Sequence, residues 1–165
     1  MIAQLGLNTK IPYHFLFWGV AFGGSSFYSF IVSPLVFKKL PREEFSNLQT
    51  QVFPTYFSGQ IVAPIILGLT SPLKLCPFTT GLLVASSVGG LLNFYWLMPV
   101  CRNLKEKKNK LIADKLDTTE SGEPTEEYTA TIKKFGAYHG LSSLANALSI
   151  VSLGFYGVLL AKKLV

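Results

Sequence analysis

Charged residues are scarce in this chain of 165 residues, at 15% of the composition against about 25% in an ordinary soluble domain. Fifteen of the 24 charged side chains lie between Arg102 and Lys134, which leaves nine for the other 132 residues. A soluble enzyme of this size needs charged groups over its whole surface. The shortage therefore argues against a soluble globular domain, and the 49% hydrophobic content argues against a disordered one.

Cysteine is rarer still, with only Cys76 and Cys101 in the chain. Neither belongs to a CxxC or Cys/His ligand pattern. If both lie on one helix, 25 positions place them about 37 Å apart, beyond the reach of a disulfide bond. Two histidines far apart in the chain, without neighbouring carboxylates or thiols, do not favour a metal site either. We expect two free thiols, no metal and no cofactor.

Long charge-free stretches occupy the remaining sequence, and each is 27 to 29 residues long: Ile11–Phe37, Phe45–Leu73, Leu75–Cys101 and Phe135–Ala161. A membrane-spanning helix needs about 20 apolar residues, whereas a transmembrane barrel shows stretches of about ten with alternating polarity. The continuous apolar runs favour helices. They predict four spans, at about 12–37, 52–70, 78–101 and 135–161, within a single transmembrane domain, 1–165.

The orientation of these spans follows from the basic residues. Only Lys10 precedes the first stretch, which is too long for a signal peptide, so we interpret it as a retained helix. Four spans then place both termini on one side. The first and third connections hold 11 of the 15 Lys and Arg residues, so the positive-inside tendency predicts that these two connections face the cytosol.

Small residues recur on one face of three spans, which favours close helix packing in lipid: Gly19, Gly23, Ser26 and Ser33; Gly81, Ala85 and Gly89; Ser142, Ala145, Ser149 and Ser152. Tyr13, Trp18, Tyr95 and Trp96 lie toward span ends, as interfacial aromatic residues do. In the third connection, 102–134, helix formers flank a polar turn, and Thr125 is a plausible N-cap. The fold class predicted is therefore all-α, a polytopic membrane four-helix bundle whose third and fourth helices extend beyond the membrane as a helical hairpin.

Unusual polar and aromatic residues gather at the cytosolic end of these spans: Arg42, Gln49, Tyr56, Asn93, Trp96, His139, Ser142, Ser143 and Asn146. His14 is the exception, at the opposite end. Ser33-Pro34 and Pro99 are expected to end the first and third spans near the cluster.

Two interpretations of this cluster stay open. In the first, Asn93, His139, Ser143 and Asn146 make hydrogen bonds between helices. In the second, the cluster forms a site for a lipid headgroup or small solute, with the Arg42 guanidinium as the phosphate partner. Serine-hydrolase chemistry is disfavoured, because His139 shares one helix with both serines and no carboxylate orients it.

The same residues resemble a known family, the transmembrane protein 205-like proteins, small four-span proteins of eukaryotic membranes. The matching segments run from about Tyr13 to Tyr156: Leu40-Pro41-Arg42 with Phe45, Leu48 and Gln49; Val52-Phe53-Pro54 with Tyr56-Phe57; Asn93 with Trp96-Leu97 and Pro99; and His139-Gly140-Leu141-Ser142-Ser143-Leu144 with Asn146. One departure is Met98, where the family commonly has Glu before the proline.

The resemblance implies a location but no reaction. Compact fungal members look like mitochondrial outer-membrane proteins and others are associated with endomembranes such as the endoplasmic reticulum. No catalytic activity carries over from the family.

Three functions are compatible with the sequence. The favoured one is a non-enzymatic membrane protein that organises lipids or partner proteins, with anionic headgroups, another membrane protein or a second copy as partners. The second is a small lipid or solute carrier, scramblase or channel that uses the polar cluster. The third, a lipid enzyme, lacks an acid/base pair or metal set. Nucleic acid is not an expected partner, because no motif or aromatic platform supports it.

Overall fold

Four long helices build the protein. The computed structural model describes residues 7–164, apart from the side chains of 163 and 164, and it contains no strand in that part of the chain. The helices are α1 (Ile11–Lys39), α2 (Arg42–Thr70), α3 (Pro77–Ala113) and α4 (Glu126–Leu164). Each contains an 18-residue window apolar enough to cross a membrane. The all-α fold and the multi-pass membrane architecture are therefore confirmed, while residues 1–6 and 165 of the predicted domain lie outside the described residues.

Helices that follow one another in the sequence pack against each other. α3 packs extensively on both α2 and α4, and α1 completes the bundle with lighter contacts to α2 and α4. We call the end with the turn at Leu40–Pro41 and the connection 114–125 the hairpin end. The opposite end holds residues 7–10 and the connection Ser71–Cys76.

The predicted helical hairpin is present at the hairpin end. α3 continues to Ala113 and α4 begins at Glu126, so both helices extend into the charged segment. An ion pair of 2.7 Å between Lys107 and Glu127 joins them. Thr125 acts as the predicted N-cap, since its hydroxyl oxygen accepts the Tyr128 backbone N–H at 3.3 Å.

Two prolines do not end their helices as the sequence led us to expect. A π-helical turn, Tyr28–Val32, comes just before Pro34, and another, Asn93–Leu97, comes just before Pro99. Proline in a helix removes one backbone hydrogen bond and crowds the carbonyl four residues earlier. A π turn is wider, because its hydrogen bonds span five residues. The wider turns are compatible with the prolines, and both helices continue.

The small-residue prediction is confirmed where Gly89 of α3 meets Ala145 and Ser149 of α4, but it is wrong for Gly81, since no atom lies within 4 Å of a Cβ added there. A Cβ added to Gly89 would lie 2.5 Å from the backbone carbonyl oxygen of Ala145, so the two helices touch at their backbones. Beside this contact the hydroxyls of Ser86 and Ser149 lie 3.1 Å apart, and both side chains are buried. α3 and α4 are therefore the tightest pair in the bundle.

On α1 the same prediction is wrong for Gly19 and Gly23. A Cβ added to Gly19 or Gly23 would meet no neighbouring atom within 4 Å, so these two positions are turned away from the other helices, whereas Ser33 of the same stripe accepts a hydrogen bond from Gln49 on α2. The opposite side of α1 packs through large residues instead. Trp18, expected at the membrane interface, packs in the bundle and donates its indole N–H to the Leu153 carbonyl at 2.9 Å. Bulky aromatic contacts keep the α1 backbone away from its neighbours.

Candidate functional site

A cavity of about 570 Å³ opens at the hairpin end of the bundle, with all four helices contributing to its walls. The last turns of α1, Ser33–Lys39, pack on α2 and make no substantial contact with α3 or α4. This separation leaves space between the α1–α2 pair and the α3–α4 pair. Six of the nine residues singled out in the sequence line the space: Gln49, Tyr56, His139, Ser142, Ser143 and Asn146.

A closed hydrogen-bond network forms at one wall of the cavity. The hydroxyl of Tyr56 and the Nε2 of Gln60 both donate to Asn146 Oδ1, at 2.9 and 2.7 Å. Asn146 Nδ2 donates in turn to Ser29 Oγ at 3.0 Å, and this oxygen lies 2.8 Å from the Tyr56 hydroxyl. The network joins α1, α2 and α4 through four side chains.

A second network links α1 with α2 nearer the hairpin. Tyr28 donates its hydroxyl to Gln49 Oε1 at 2.5 Å, and Gln49 Nε2 donates to Ser33 Oγ at 3.0 Å. Gln49 is 7% exposed, so its amide is almost removed from solvent. Both polar ends of that amide are satisfied, which is what burial of a polar group in an apolar surrounding requires.

Some polar residues of α4 make hydrogen bonds to neighbouring helices, and others bond within α4 itself. Ser142 donates its hydroxyl to Asn93 Oδ1 on α3 at 2.5 Å, and Asn93 Nδ2 donates to the Ser142 carbonyl at 3.2 Å. The expectation of hydrogen bonds between helices is therefore confirmed for Asn93 and Asn146. It is wrong for Ser143, whose hydroxyl donates to the His139 carbonyl of the same helix at 3.0 Å.

His139 makes a different contact from the one expected. Its imidazole stacks on the Phe135 ring, with centroids 5.7 Å apart and planes 3° apart. In the part of the chain that the structure describes, no hydrogen bond joins His139 to the hydroxyl of Ser142, and Ser143 bonds only the His139 backbone. The serine hydroxyls are engaged elsewhere, so these residues do not form a nucleophile–base pair in this geometry.

The basic residues of the cavity are not those that the sequence indicated. Arg42 begins α2 as an exposed residue and Trp96 packs on Tyr138, with ring centroids 6.3 Å apart; neither lines the cavity. Arg102 and Lys105 of α3 line it instead. These two residues are three positions apart and therefore lie on one face of α3. This spacing was visible in the sequence, within the basic segment that follows the third span.

The opposite end of the bundle is closed by a separate polar cluster. His14 is buried, with Nδ1 2.8 Å from Thr70 Oγ1 and Nε2 2.9 Å from the Tyr156 hydroxyl. The Tyr156 hydroxyl also lies 3.0 Å from Ser71 Oγ. Below this cluster, Leu67 and other buried side chains form the apolar core. The cavity thus belongs to one half of the bundle.

The cavity offers few groups for metal or acid–base chemistry. Among the residues described, no three His, Cys, Asp or Glu side chains come together as a group that could hold a metal ion. No Asp or Glu contributes to the described cavity lining. What the lining does offer is aromatic surface, hydrogen-bonded amides and hydroxyls, the His139 imidazole and two cationic side chains.

Comparisons with known proteins give a family match and a distant relative. The family described as "Domain of unknown function (DUF4149)" matches residues 16–110, more than half of the chain. The xanthocillin biosynthesis cluster protein D of Aspergillus fumigatus is 28% identical over 164 residues, covering 96% of this chain and 93% of that protein. No solved structure matches this chain.

Proposed function

We propose that this chain, which belongs to the DUF4149 family, is a non-enzymatic integral membrane protein that organises lipids or partner proteins in its membrane. The observation that carries the proposal is the cavity at the hairpin end. It is set between helices, at the end of the apolar segments, where phenylalanine side chains and hydrogen-bonded polar groups share one surface. Such a surface matches a lipid, which joins an apolar chain to a polar headgroup.

The state of the polar groups supports a role without catalysis. The hydroxyl of Ser142 and the amide of Asn146 are committed to other side chains, and Ser143 bonds its own helix. A catalytic nucleophile needs a neighbouring base within hydrogen-bond reach. The cavity therefore offers binding surface, while its hydroxyls serve the packing of helices.

The mitochondrial outer membrane is the location we propose, with the endoplasmic reticulum or another endomembrane as the second choice. The resemblance to transmembrane protein 205-like proteins supports it, because compact fungal members look like mitochondrial outer-membrane proteins. The fungal relative of nearly the same length fits that compact type. We propose that the two resemblances describe one small membrane family.

A lipid or solute carrier, or a scramblase, is the second candidate function. The name of the Aspergillus fumigatus relative associates it with a biosynthesis cluster, and the product of such a cluster can require transfer across or between membranes. The structure gives an argument against transport. The apolar core around Leu67, Leu153 and Tyr156 closes the half of the bundle opposite the hairpin end.

Reconstitution separates the two candidates. We expect liposomes that contain the purified protein to move fluorescent lipids and small solutes no faster than protein-free liposomes, because the core closes the path. The measurement is dithionite quenching of labelled lipid together with release of an entrapped dye. Flux above the blank that disappears in His139→Ala would overturn the organising role, and Tyr95→Ala, outside the cavity, is the matched control for the substitution.

Labelling of Cys76, in a Cys101→Ser background, tests the proposed orientation. Cys76 is exposed, and its hydrogen bond to the Thr79 hydroxyl lowers the pKa of the thiol, so more reactive thiolate is present near neutral pH. In isolated mitochondria we expect a bulky maleimide to label Cys76 only after the outer membrane is opened. Its reaction rate should fall as the pH falls through the lowered pKa.

A cysteine placed in the hairpin gives the matched control. Ser121→Cys, in a background that carries both Cys76→Ser and Cys101→Ser, should react with the same reagent before the membrane is opened, since Ser121 is an exposed residue of the hairpin connection. Labelling of Cys76 in intact organelles, with Ser121→Cys protected, would reverse the orientation. Fractionation of the same cells reports the organelle.

A further inference from the structure

We propose that the hairpin-end cavity binds a single-chain amphiphile with a compact anionic headgroup, a carboxylate or a phosphate. The inference rests on the proposed function, because it names the lipid class that the cavity would hold. Arg102 and Lys105 would face the headgroup, and the phenylalanine side chains of the lining would face the chain.

The charge of the cavity is the first argument. Its described lining contains Arg102 and Lys105 but no Asp or Glu. In the described part of the chain the only ion pair joins Lys107 to Glu127, away from the cavity lining. Arg102 is therefore left without an anionic partner among these residues. A guanidinium or ammonium beside an apolar cavity favours a carboxylate or phosphate, to which its hydrogen bonds are about twice as strong as neutral ones.

The placement of these cations is the second argument. Lys105 Nζ donates to Asn47 Oδ1 on α2 at 3.4 Å, so the ammonium reaches from α3 to α2 beside the cavity. Arg102 lies one helical turn closer to the bundle. An anion at the hairpin end of the cavity would therefore meet donors from α3 at the point where the apolar helices give way to charged ones.

The inner polar groups are the third argument, because they are already satisfied. In Asn146 and Gln49, both the amide oxygen and the amide nitrogen are hydrogen-bonded to other side chains. They contribute little hydrogen bonding to a neutral polar headgroup. Selectivity must then come from the basic residues of the lining, which distinguish an anionic amphiphile from a neutral one of the same chain length.

The apolar wall and the size of the cavity are the fourth argument. Aromatic rings are contributed by three helices: Phe30, Phe37, Phe45, Phe53, Phe57 and Phe135. The volume of about 570 Å³ lies within the range of about 300–1,000 Å³ for sites that bind one small molecule. One chain with a compact headgroup suits this space better than a lipid with two chains and a large headgroup.

Direct binding to the purified full-length protein tests the inference. The probe is radiolabelled oleate, with lysophosphatidic acid, monoolein and inorganic phosphate as competitors, in micelles of a neutral detergent. We expect lysophosphatidic acid to compete with oleate, monoolein to compete about tenfold more weakly or worse, and inorganic phosphate not to compete. The ratio of oleate to lysophosphatidic acid affinity tells a carboxylate site from a phosphate site.

Variants locate the binding. Arg102→Gln combined with Lys105→Gln should weaken oleate binding about tenfold or more, whereas Lys110→Gln, an exposed residue of the same helix outside the cavity, should bind as the parent does. Ser143→Phe should weaken oleate and monoolein alike, because it fills the cavity without breaking a bond between helices. Circular dichroism and gel filtration verify that each variant is folded.

The outcomes separate this inference from the proposed function. Equal binding of oleate and monoolein, or equal losses in Lys110→Gln and the double variant, overturns the anionic preference and leaves a lipid-organising role intact. Competition by inorganic phosphate alone overturns the need for a chain. Absence of binding for every amphiphile overturns both this inference and the lipid-organising part of the proposed function.

Discussion

Gly89→Ala is expected to destabilise the bundle by about 1–3 kcal/mol, the usual cost of inserting a carbon into a well-packed core. The added Cβ would lie 2.5 Å from the Ala145 carbonyl oxygen and 3.1 Å from Ser149 Cβ. A backbone carbonyl inside α4 cannot turn aside as the end of a flexible side chain can. α3 and α4 must therefore separate, which weakens the hydrogen bonds between Ser86 and Ser149.

Gly81→Ala on the same helix is the matched control. No atom lies within 4 Å of its added Cβ, and alanine in a helix is favoured over glycine by up to about 1 kcal/mol. We expect this variant to be as stable as the parent or slightly more so. Unfolding of both variants by sodium dodecyl sulfate, followed by circular dichroism, measures the difference. Equal midpoints for the two would show that α3 and α4 are less closely packed than the structure has them.

The contrast between Gly89 and Gly19 shows how far the sequence could predict the packing. Both glycines belong to a small-residue stripe in an apolar span, and the pattern alone treats them alike. Only Gly89 meets another backbone. In a span that is apolar on every side, periodicity does not tell which face meets lipid and which meets protein. That choice depends on neighbours such as Trp18, whose indole fills the gap between α1 and α4.

The four helices and the hairpin were predictable for a simpler reason. A membrane excludes charge, so the positions of Lys, Arg, Asp and Glu mark the ends of the spans. Helix continuation through Pro34 and Pro99 was not predictable in this way, because proline alone signals a helix end or kink. The π turns beside both prolines depend on backbone hydrogen bonds that composition does not encode.

The candidate site was predicted in part. Gln49, Tyr56, His139 and the polar residues around Asn146 were found because polar side chains stand out within apolar spans. Arg102 and Lys105 were missed as cavity residues because they belong to a basic segment, in which the sequence does not distinguish cavity-facing cations from solvent-facing ones. Their role depends on how α3 is rotated about its axis, which packing against α2 and α4 decides.

Hydrogen bonds add to the aromatic packing that holds α1 in the bundle. Of its residues, all of which the structure describes, only His14 is buried. Hydrogen bonds anchor it at both ends: His14 to Thr70 and Tyr156 at one end, and the Ser29 and Tyr28 networks at the other. Because α1 also forms one wall of the cavity, its attachment controls the shape of the proposed binding site.

Asn146→Leu is therefore expected to release α1 at the hairpin end and to cost about 2 kcal/mol of stability. The substitution removes hydrogen bonds to Tyr56, Gln60 and Ser29, and a hydrogen bond between membrane helices contributes about 0.6 kcal/mol on average. It also leaves the buried Gln60 amide without one of its acceptors, which adds to the cost. The same detergent unfolding as for Gly89→Ala measures the loss.

A cross-link reports whether the loss is local to α1. A cysteine pair placed at the α1–α4 contact should form a disulfide in the parent and form it more slowly in Asn146→Leu. Ser143→Leu is the matched control, because Ser143 lies one turn away on α4 and bonds only its own helix. If both variants lose stability equally, added bulk at the cavity wall explains the effect. A loss specific to Asn146 means that the hydrogen bonds around Ser29 hold the cavity in shape.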